Sequence, residues 1–404
     1  MLLKMAFRNI FRQKRRTIFT AITMIMGFAF AAFTIGWADG TYNNIINMFT
    51  KGWLGHIQIH YKDYLDKPSL YKAIDNYPQI ERKILKLKDI QSCTPRVFSV
   101  GLASLKDKTS GVQIIGIDPK KEDKTTSFHK KIIKGNYFKT NLKNQVLIGK
   151  GLATILKAKI GDKIVLVSQG ADGSIANDFF TVVGIISTDN DSFDRSSFYL
   201  RLKDAQEFLV LDGRVHEIAI TVNKLKNVRK IAAKISNIID NKNLSVAPWQ
   251  EFAKEFYRAM KADKGGMWIS LCVIILVVAV GVLNTVLMAV LERFREYGVL
   301  KALGTRPKDI ILLVLYETNI LAFFCVIIGT LIGLAVNYYL SIHGFHLSQT
   351  FTYGGMSFSE MRTEINLRSF TIPAITIFLT ASFVGLFPAL KAAKTEPSKT
   401  LRFH

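Results

Sequence analysis

Residues 291–317 read LERFREYGVLKALGTRPKDIILLVLYE, and the rest of the chain arranges itself around them. Two long apolar runs flank the stretch, 265–291 before it and 318–342 after it. It opens on charge, with Glu292, Arg293, Arg295 and Glu296. Val299, Leu300 and Leu303 then follow at roughly helical spacing, which predicts a short amphipathic helix. Gly304, Arg306 and Pro307 end that helix, because glycine is a poor helix former and proline removes a backbone donor. Asp309 is expected to cap a new helix that runs on as apolar sequence. A short helix held between two spans at a membrane face is placed to receive a push from a soluble partner.

Working outward, four blocks carry no charge at all: 22 residues at 17–38, 27 at 265–291, 25 at 318–342 and 22 at 369–390. Each reaches the roughly 20 residues that cross a hydrocarbon core at about 1.5 Å per residue. Basic residues then set the orientation. Residues 1–16 hold six basic side chains and no acidic one, 292–308 hold five against two, and 391–404 hold four against one. The segment 343–368 is balanced, with Arg362 and Arg368 against Glu360 and Glu364. The three basic segments therefore belong in the cytoplasm, with both termini inside and 39–264 outside. The small-x-small triplet Ala29, Phe30, Ala31 resembles a signal-peptidase site, but the run is longer than a signal h-region and three more spans follow, so it is read as the first span.

The resulting organisation is an amphipathic amino-terminal elbow (1–16), a first span (17–38), an outer domain (39–264), a second span (265–291), an interspan segment (292–308), a third span (310–342), an outer loop (343–368), a fourth span (369–390) and a tail (391–404). Within the outer domain, alternating segments predict strands at 56–60, 112–117, 145–148, 163–167, 179–186, 198–202 and 217–222. Helices are predicted at 78–88, 151–158, 203–211 and 225–239. Residues 248–264 read as a stalk helix running straight into the second span. The fold class is a four-helix membrane domain plus a large α+β extracytoplasmic domain inserted between the first two spans.

Several chemistries find no support. No G-x-x-x-x-G-K-[ST] pattern occurs, so the chain is expected to bind no nucleotide itself. G-x-S-x-G and H-E-x-x-H are also absent, and no catalytic residue is assigned. His56 with His60, and His343 with His346, lack the further ligands a metal would need. Asp189, Asp191 and Asp194 do not have EF-hand spacing and read as a solvated turn. Of the three cysteines, Cys272 and Cys325 lie in spans and Cys93 is alone in the outer domain, which predicts no disulfide there. The net charge of +23 comes from scattered lysines without a recognition motif, so nucleic acid is not a predicted partner, whereas membrane lipid is. Gly329 and Gly333 form G-x-x-x-G, a close-packing signal between membrane helices. Glu317, near the start of the third span, is expected to face protein.

The pattern ERxREYGxLKALGxxxxDI at 292–310 resembles the cytoplasmic elbow of the ABC permeases grouped with MacB, FtsX and the lipoprotein-releasing LolC and LolE. FRNIFRQKRRT at 7–17 is similar to that family's amino-terminal elbow. IGIDP (115–119), IKGNYF (133–138), VLIGKGLATILKAKIGD (146–162) and FTVVGI (180–185) resemble its outer domain, which implies two lobes. Pro388, Ala389, Ala392, Pro397, Leu401 and Arg402 fit its carboxy-terminal pattern. The resemblance implies that Glu292, Arg293, Arg295, Glu296, Gly298, Leu300, Lys301, Ala302, Leu303, Gly304 and Lys308 dock into a separate ATPase dimer that holds ATP and Mg. It also implies pairing with a second copy or a homologous permease, and a place in the bacterial inner membrane. In LolC-like permeases a hairpin matching 168–178 engages a periplasmic lipoprotein carrier, which singles out Gln169, Gly170, Asp172, Gly173 and Ser174. Here that loop is shorter and lacks proline. The implied function is ATP-driven lipoprotein extraction by a non-catalytic subunit. MacB-like efflux and FtsX-like control of a cell-wall hydrolase are the alternatives.

Overall fold

The computed structural model describes residues 2–12, 14–139, 142–188, 190–353 and 356–394. The chain divides into two compact units, one built on four long helices and the other on residues 45–258 with 349–358. The four helices, Lys14–Phe49, Lys254–Glu292, Pro307–His343 and Arg368–Ala393, are long and apolar enough to cross a membrane. The uncharged runs are thus the cores of longer helices. The first continues past Ala38 through Asp39, Asn43 and Asn44, then loosens into a π-helical turn over Thr50–Leu54. The stalk differs from its expected straight course. A four-residue helix, Trp249–Phe252, ends at Ala253 (φ −111°, ψ 50°), and the long helix starts at Lys254. The Trp249 ring lies edge-on to Phe256 and Tyr257 across that break. In place of the expected outer loop, two strands, Phe345–Tyr353 and Met356–Met361, pair with each other.

Inside the helical unit, Met24, Phe28 and Ala32 of the first helix pack on Val278, Val282, Ala322, Cys325, Ile377 and Ala381. Gly329 and Gly333 of the third helix face the first. A Cβ at Gly329 would lie 2.9 Å from the Phe28 Cβ, and one at Gly333 would lie 3.2 Å from the Ala32 Cβ. The absent side chains are what let the two backbones approach. Asn337 donates to the Ala32 carbonyl at 3.2 Å, so its amide bonds across helices.

The outer unit is organised by one strand that the alternation pattern does not announce, Ile90–Leu105. Its first half pairs with Glu217–Val222, which pairs with Ile57–Tyr61, which pairs with Leu244–Pro248. Its second half pairs with Lys108–Ile117 on one side and Lys163–Gln169 on the other. From there the ladder runs through Ser197–Arg201, Gln145–Gly149 and Ile175–Ile186 and returns to Lys163–Gln169. Six strands therefore close into a ring, and four lie in an open sheet, with Ile90–Leu105 shared between them. Ile132–Gly135 adds an edge to Ile175–Ile186. Pro95 sits mid-strand without losing a ladder bond. It faces only Ile218, because the pairing with Lys108–Ile117 begins one residue later, at Arg96.

Where ring and sheet meet, Arg96 is fully buried. Its Nε and Nη2 donate to both oxygens of Glu122 at 3.0 and 2.7 Å, and its Nη1 donates to Glu217 at 2.8 Å. The Trp53 ring covers the guanidinium at 4.4 Å. Thr94 and Thr126 also donate to Glu122. Beside this cluster the His60 Nε2 lies 3.5 Å from Glu217. Burial raises the Glu217 carboxyl to about 7.

His56 is buried and accepts the Val222 N–H on Nδ1 at 2.9 Å. Burial first, and Lys51 second, lower its pKa to about 4 from the usual 6.5. A histidine held below its unfolded value contributes stability above pH 6.5 and loses it as pH falls toward 4. Burial gives Glu217 the opposite slope, so total stability against pH mixes both. The difference between wild type and His56→Asn isolates the histidine, since an asparagine oxygen can still accept the Val222 N–H. Between pH 7 and pH 5 the wild type is expected to lose about 2 kcal/mol more than the variant. Denaturant unfolding of the full chain, followed by tryptophan emission at the two pH values, measures it.

Candidate coupling site at the interspan helix

The interspan helix is Phe294–Ala302, nine residues long. Arg293 leaves the helical region (φ −100°, ψ 17°) and separates it from the second span. Leu303 ends it, and Gly304 turns back at φ +94°, a conformation that favours glycine. The Thr305 N–H then returns to the Leu300 carbonyl at 3.0 Å. The third long helix begins at Pro307, where a missing N–H costs nothing. Asp309 is therefore not its cap. Arg306 occupies that position with no side-chain bond, and Asp309 lies in the first turn, where a carboxylate favours the helix dipole.

Two faces divide the predicted residues. On the inner face, the Arg293 Nη1 donates to both oxygens of Glu317 at 3.0 Å, and its Nε donates to Glu296 at 3.0 Å. The Asn9 amide donates to the same Glu317 at 2.5 Å, and Arg12 pairs with Glu296 at 2.8 Å. Arg293 and Glu317 are only 11 % and 17 % exposed. Tyr297 is buried with Ala6, Val290, Ile310, Val314 and Ala389, and Leu300 packs against that cluster. Gly298 is buried too. The Lys301 ammonium donates to the Ala393 carbonyl at 2.9 Å. The inner face thus ties the interspan helix to the amino-terminal helix and to the third and fourth spans.

The outer face is different. Glu292, Arg295, Ala302, Leu303, Gly304 and Lys308 are exposed. Val299 is 45 % exposed and Leu303 79 %. Spacing at 295, 299, 302 and 303 places Arg295, Val299, Ala302 and Leu303 on one stripe. The apolar residues of the predicted amphipathic helix divide between the faces: Leu300 packs inward, and Val299 and Leu303 are exposed. The arrangement can transmit a force: an accessible apolar stripe backed by a charged brace. Glu317 faces protein as expected, bonded by Arg293 and Asn9, but Asn9, Arg12 and Glu317 are not among the residues predicted for the coupling site. The available signals were a lone amide among the apolar residues of the first helix and a lone acid at the start of the third span.

Elsewhere the turn at 169–174 is compact. The Gly170 N–H donates to the Ser174 carbonyl, the Ser174 N–H and hydroxyl both donate to Asp172, and Gly173 sits at φ +86°. The Ala171 N–H is tied to the Leu209 carbonyl at 2.8 Å. Gln169, Asp172, Gly173 and Ser174 are exposed and Gly170 is buried. Asp194 is buried and takes bonds from Ser187 and Thr188, and Asn190 caps its short helix. Asp189, the side chain of His346, and Pro397, Leu401 and Arg402 lie outside the described residues. Among the described residues no group of three His, Cys, Asp or Glu side chains is placed to hold a metal.

Two family models match the chain. The MacB-like periplasmic core domain matches residues 17–238, and the FtsX-like permease C-terminal model matches 268–397. The chain is 25 % identical over 350 residues to the lipoprotein-releasing system transmembrane protein LolC of Neisseria meningitidis, covering 82 % of this chain and 83 % of that protein. It is 21 % identical over 397 residues to the LolE protein of that system in Haemophilus influenzae, covering 96 % and 94 %. Among solved structures, the periplasmic region of MacB from Actinobacillus actinomycetemcomitans is similar at a TM-score of 0.37 and 15 % identity, covering 50 % of this chain and 94 % of that one. With more than half of its length matched by the MacB-like core and its last third by the FtsX-like region, the chain belongs to the ABC-transporter permeases of the MacB, FtsX and LolC family, membrane proteins with an extracytoplasmic domain.

Proposed function

We propose that this chain is the membrane subunit of a complex that releases lipoproteins from the outer leaflet of a bacterial inner membrane, driven by a separate ATPase. The observation that carries the reading is the two-faced interspan helix. The stripe Arg295, Val299, Ala302 and Leu303 is accessible to a soluble partner, and the brace Arg293–Glu317 joins it to the helices behind. Both termini and this helix face the cytoplasm, by the distribution of basic residues. The partner ATPase dimer binds ATP and Mg, and this chain holds no cofactor. Two permease chains, identical or homologous, complete the assembly. Closure of the ATPase pulls the two interspan helices together and shifts the spans. Work of this kind is needed because each buried CH₂ of an acyl chain favours the bilayer by about 0.8 kcal/mol. Similarity to LolC and LolE over most of the chain favours lipoprotein as the cargo. The exposed turn residues Gln169, Asp172, Gly173 and Ser174, with Gly170 beneath them, are the proposed contact with a soluble carrier.

Reconstitution tests the reading. The chain and its co-expressed ATPase are placed in lipid with a radiolabelled triacylated lipoprotein, and label released to soluble carrier is counted after ATP is added. Release that disappears with an ATPase-dead partner supports it. No release from a complex whose ATPase this chain still stimulates overturns lipoprotein as cargo, and points to efflux or to hydrolase control.

A further inference from the structure

A groove of about 630 Å³ opens between the amino-terminal helix and the third and fourth spans, at the membrane end that carries the interspan helix. Leu3, Phe7, Ile320, Phe323, Phe324 and Phe378 form its apolar wall. The Phe7 and Phe324 rings lie 6.3 Å apart, so the amino-terminal helix and the third span share that wall. Asn319, at its base, is already satisfied. Its amide donates to the Leu315 carbonyl and its oxygen accepts from Ser382. Lys4 lines the rim and is exposed, as is Arg8 one turn further along. The helix Leu2–Arg12 contains no acidic residue. The carboxylates it does reach, Glu317 through Asn9 and Glu296 through Arg12, serve Arg293 as well.

We propose that this groove binds an anionic membrane phospholipid, one acyl chain against the phenylalanines and the phosphate on Lys4 and Arg8. Charge decides the occupant. A second copy seated here would bring the same excess of basic residues and bury Lys4 and Arg8 without a counter-charge. A zwitterionic lipid would fill the apolar wall but bring its own quaternary ammonium beside the two cations, and so supply no net counter-charge. A phosphate of net negative charge beside an acyl chain satisfies both halves, and the volume lies within the range of a small-molecule site. The bound lipid would hold in place the helix from which Asn9 and Arg12 reach the interspan brace.

The test is native mass spectrometry of the full-length chain in neutral detergent, titrated with phosphatidylglycerol or phosphatidylcholine of identical acyl chains. Wild type is expected to retain one phosphatidylglycerol at concentrations where phosphatidylcholine is lost. Lys4→Gln and Arg8→Gln are each expected to weaken that retention by about fivefold. Ile320→Trp, which fills the groove, is expected to reduce retention of both lipids. Arg306→Gln with Lys308→Gln, at the same end of the protein but outside the groove, should leave the preference intact. Circular dichroism establishes that each variant is folded. Equal retention of both lipids by wild type overturns the proposal. So does a preference that survives Lys4→Gln/Arg8→Gln, or one that Arg306→Gln/Lys308→Gln removes equally. Efficient disulfide cross-linking between Leu3→Cys copies, with no lipid retained, assigns the groove to a second copy instead.

Discussion

Arg293→Met is expected to destabilise the helical unit by about 3 kcal/mol and to uncouple the ATPase from its cargo. The substitution keeps much of the side chain's length and removes its charge. It leaves Glu317, only 17 % exposed, with Asn9 as its remaining donor, and it removes a donor from Glu296. Removing one partner of a buried pair costs about 3–5 kcal/mol, because the remaining charge stays desolvated. Residual solvent at Glu317 puts the expectation at the low end. The second substitution in the cycle is Glu317→Gln, which can keep the Asn9 contact. If the two residues act as a pair, Arg293→Met/Glu317→Gln should be more stable than the sum of the single variants predicts. Urea unfolding of the full chain in mixed micelles gives the three values. The proposed coupling role adds a second readout: ATPase stimulation and lipoprotein release should fall together in Arg293→Met and recover in part in the double variant. Additive losses of stability would deny the pair, and unchanged release with reduced stability would deny the coupling role.

Arg96→Met should have the larger effect on stability, confined to the outer unit. Arg96 faces two carboxylates, Glu122 and Glu217, and is the nearest cation to both. Without it two buried acids lose their counter-charge, and Trp53 loses the guanidinium it covers. A cost of about 4–5 kcal/mol follows, a large part of the stability of an ordinary domain. Hydrogen exchange of the full chain is the measurement. Amides of residues 90–105 and 217–222, which bond across this point, should lose protection, and those of the four long helices should not. Arg96→Met/Glu122→Gln should recover part of the loss, because one of the two orphaned charges is gone. Uniform loss across both units would show that the cluster supports more than its own sheet junction.

Much of the architecture is legible in the sequence, and particular residues explain where reading stops. The four spans show because hydrocarbon tolerates almost no charge, so 265–291 can be read without knowing its neighbours. The strand 217–222 was read to the residue. The strand Ile90–Leu105 was not. Residues 92–97 are buried on both faces, so they carry no alternation, and further on Val100 and Leu102 are apolar yet exposed. Pro95 adds a misleading break. In the proposed coupling site the residues of 292–308 stand together as a contiguous motif, without a sign of which face each one takes. The brace was not legible, because Asn9 and Glu317 are 308 positions apart and meet only through folding. The start of the third-span helix is placed at Asp309 from the sequence, because a good capping residue stands two positions inside a proline start.

The strand order also sets a timetable for synthesis. Every strand of the closed ring lies between residues 90 and 201, so the ring has all its parts once that segment has emerged. The open sheet does not. Ile57–Tyr61 is made early, but among the described residues its strand partners are 217–222 and 244–248. At about 5–20 residues per second, the ribosome needs roughly 8–30 s to travel from Ile57–Tyr61 to 217–222, the first of its partners to be made. Throughout that interval Ile57 and Ile59, both fully buried in the finished protein, have no sheet to enter. The nascent chain thus carries an unpaired apolar strand through a large part of its translation, and its yield should depend on the chaperones that meet it on the far side of the membrane.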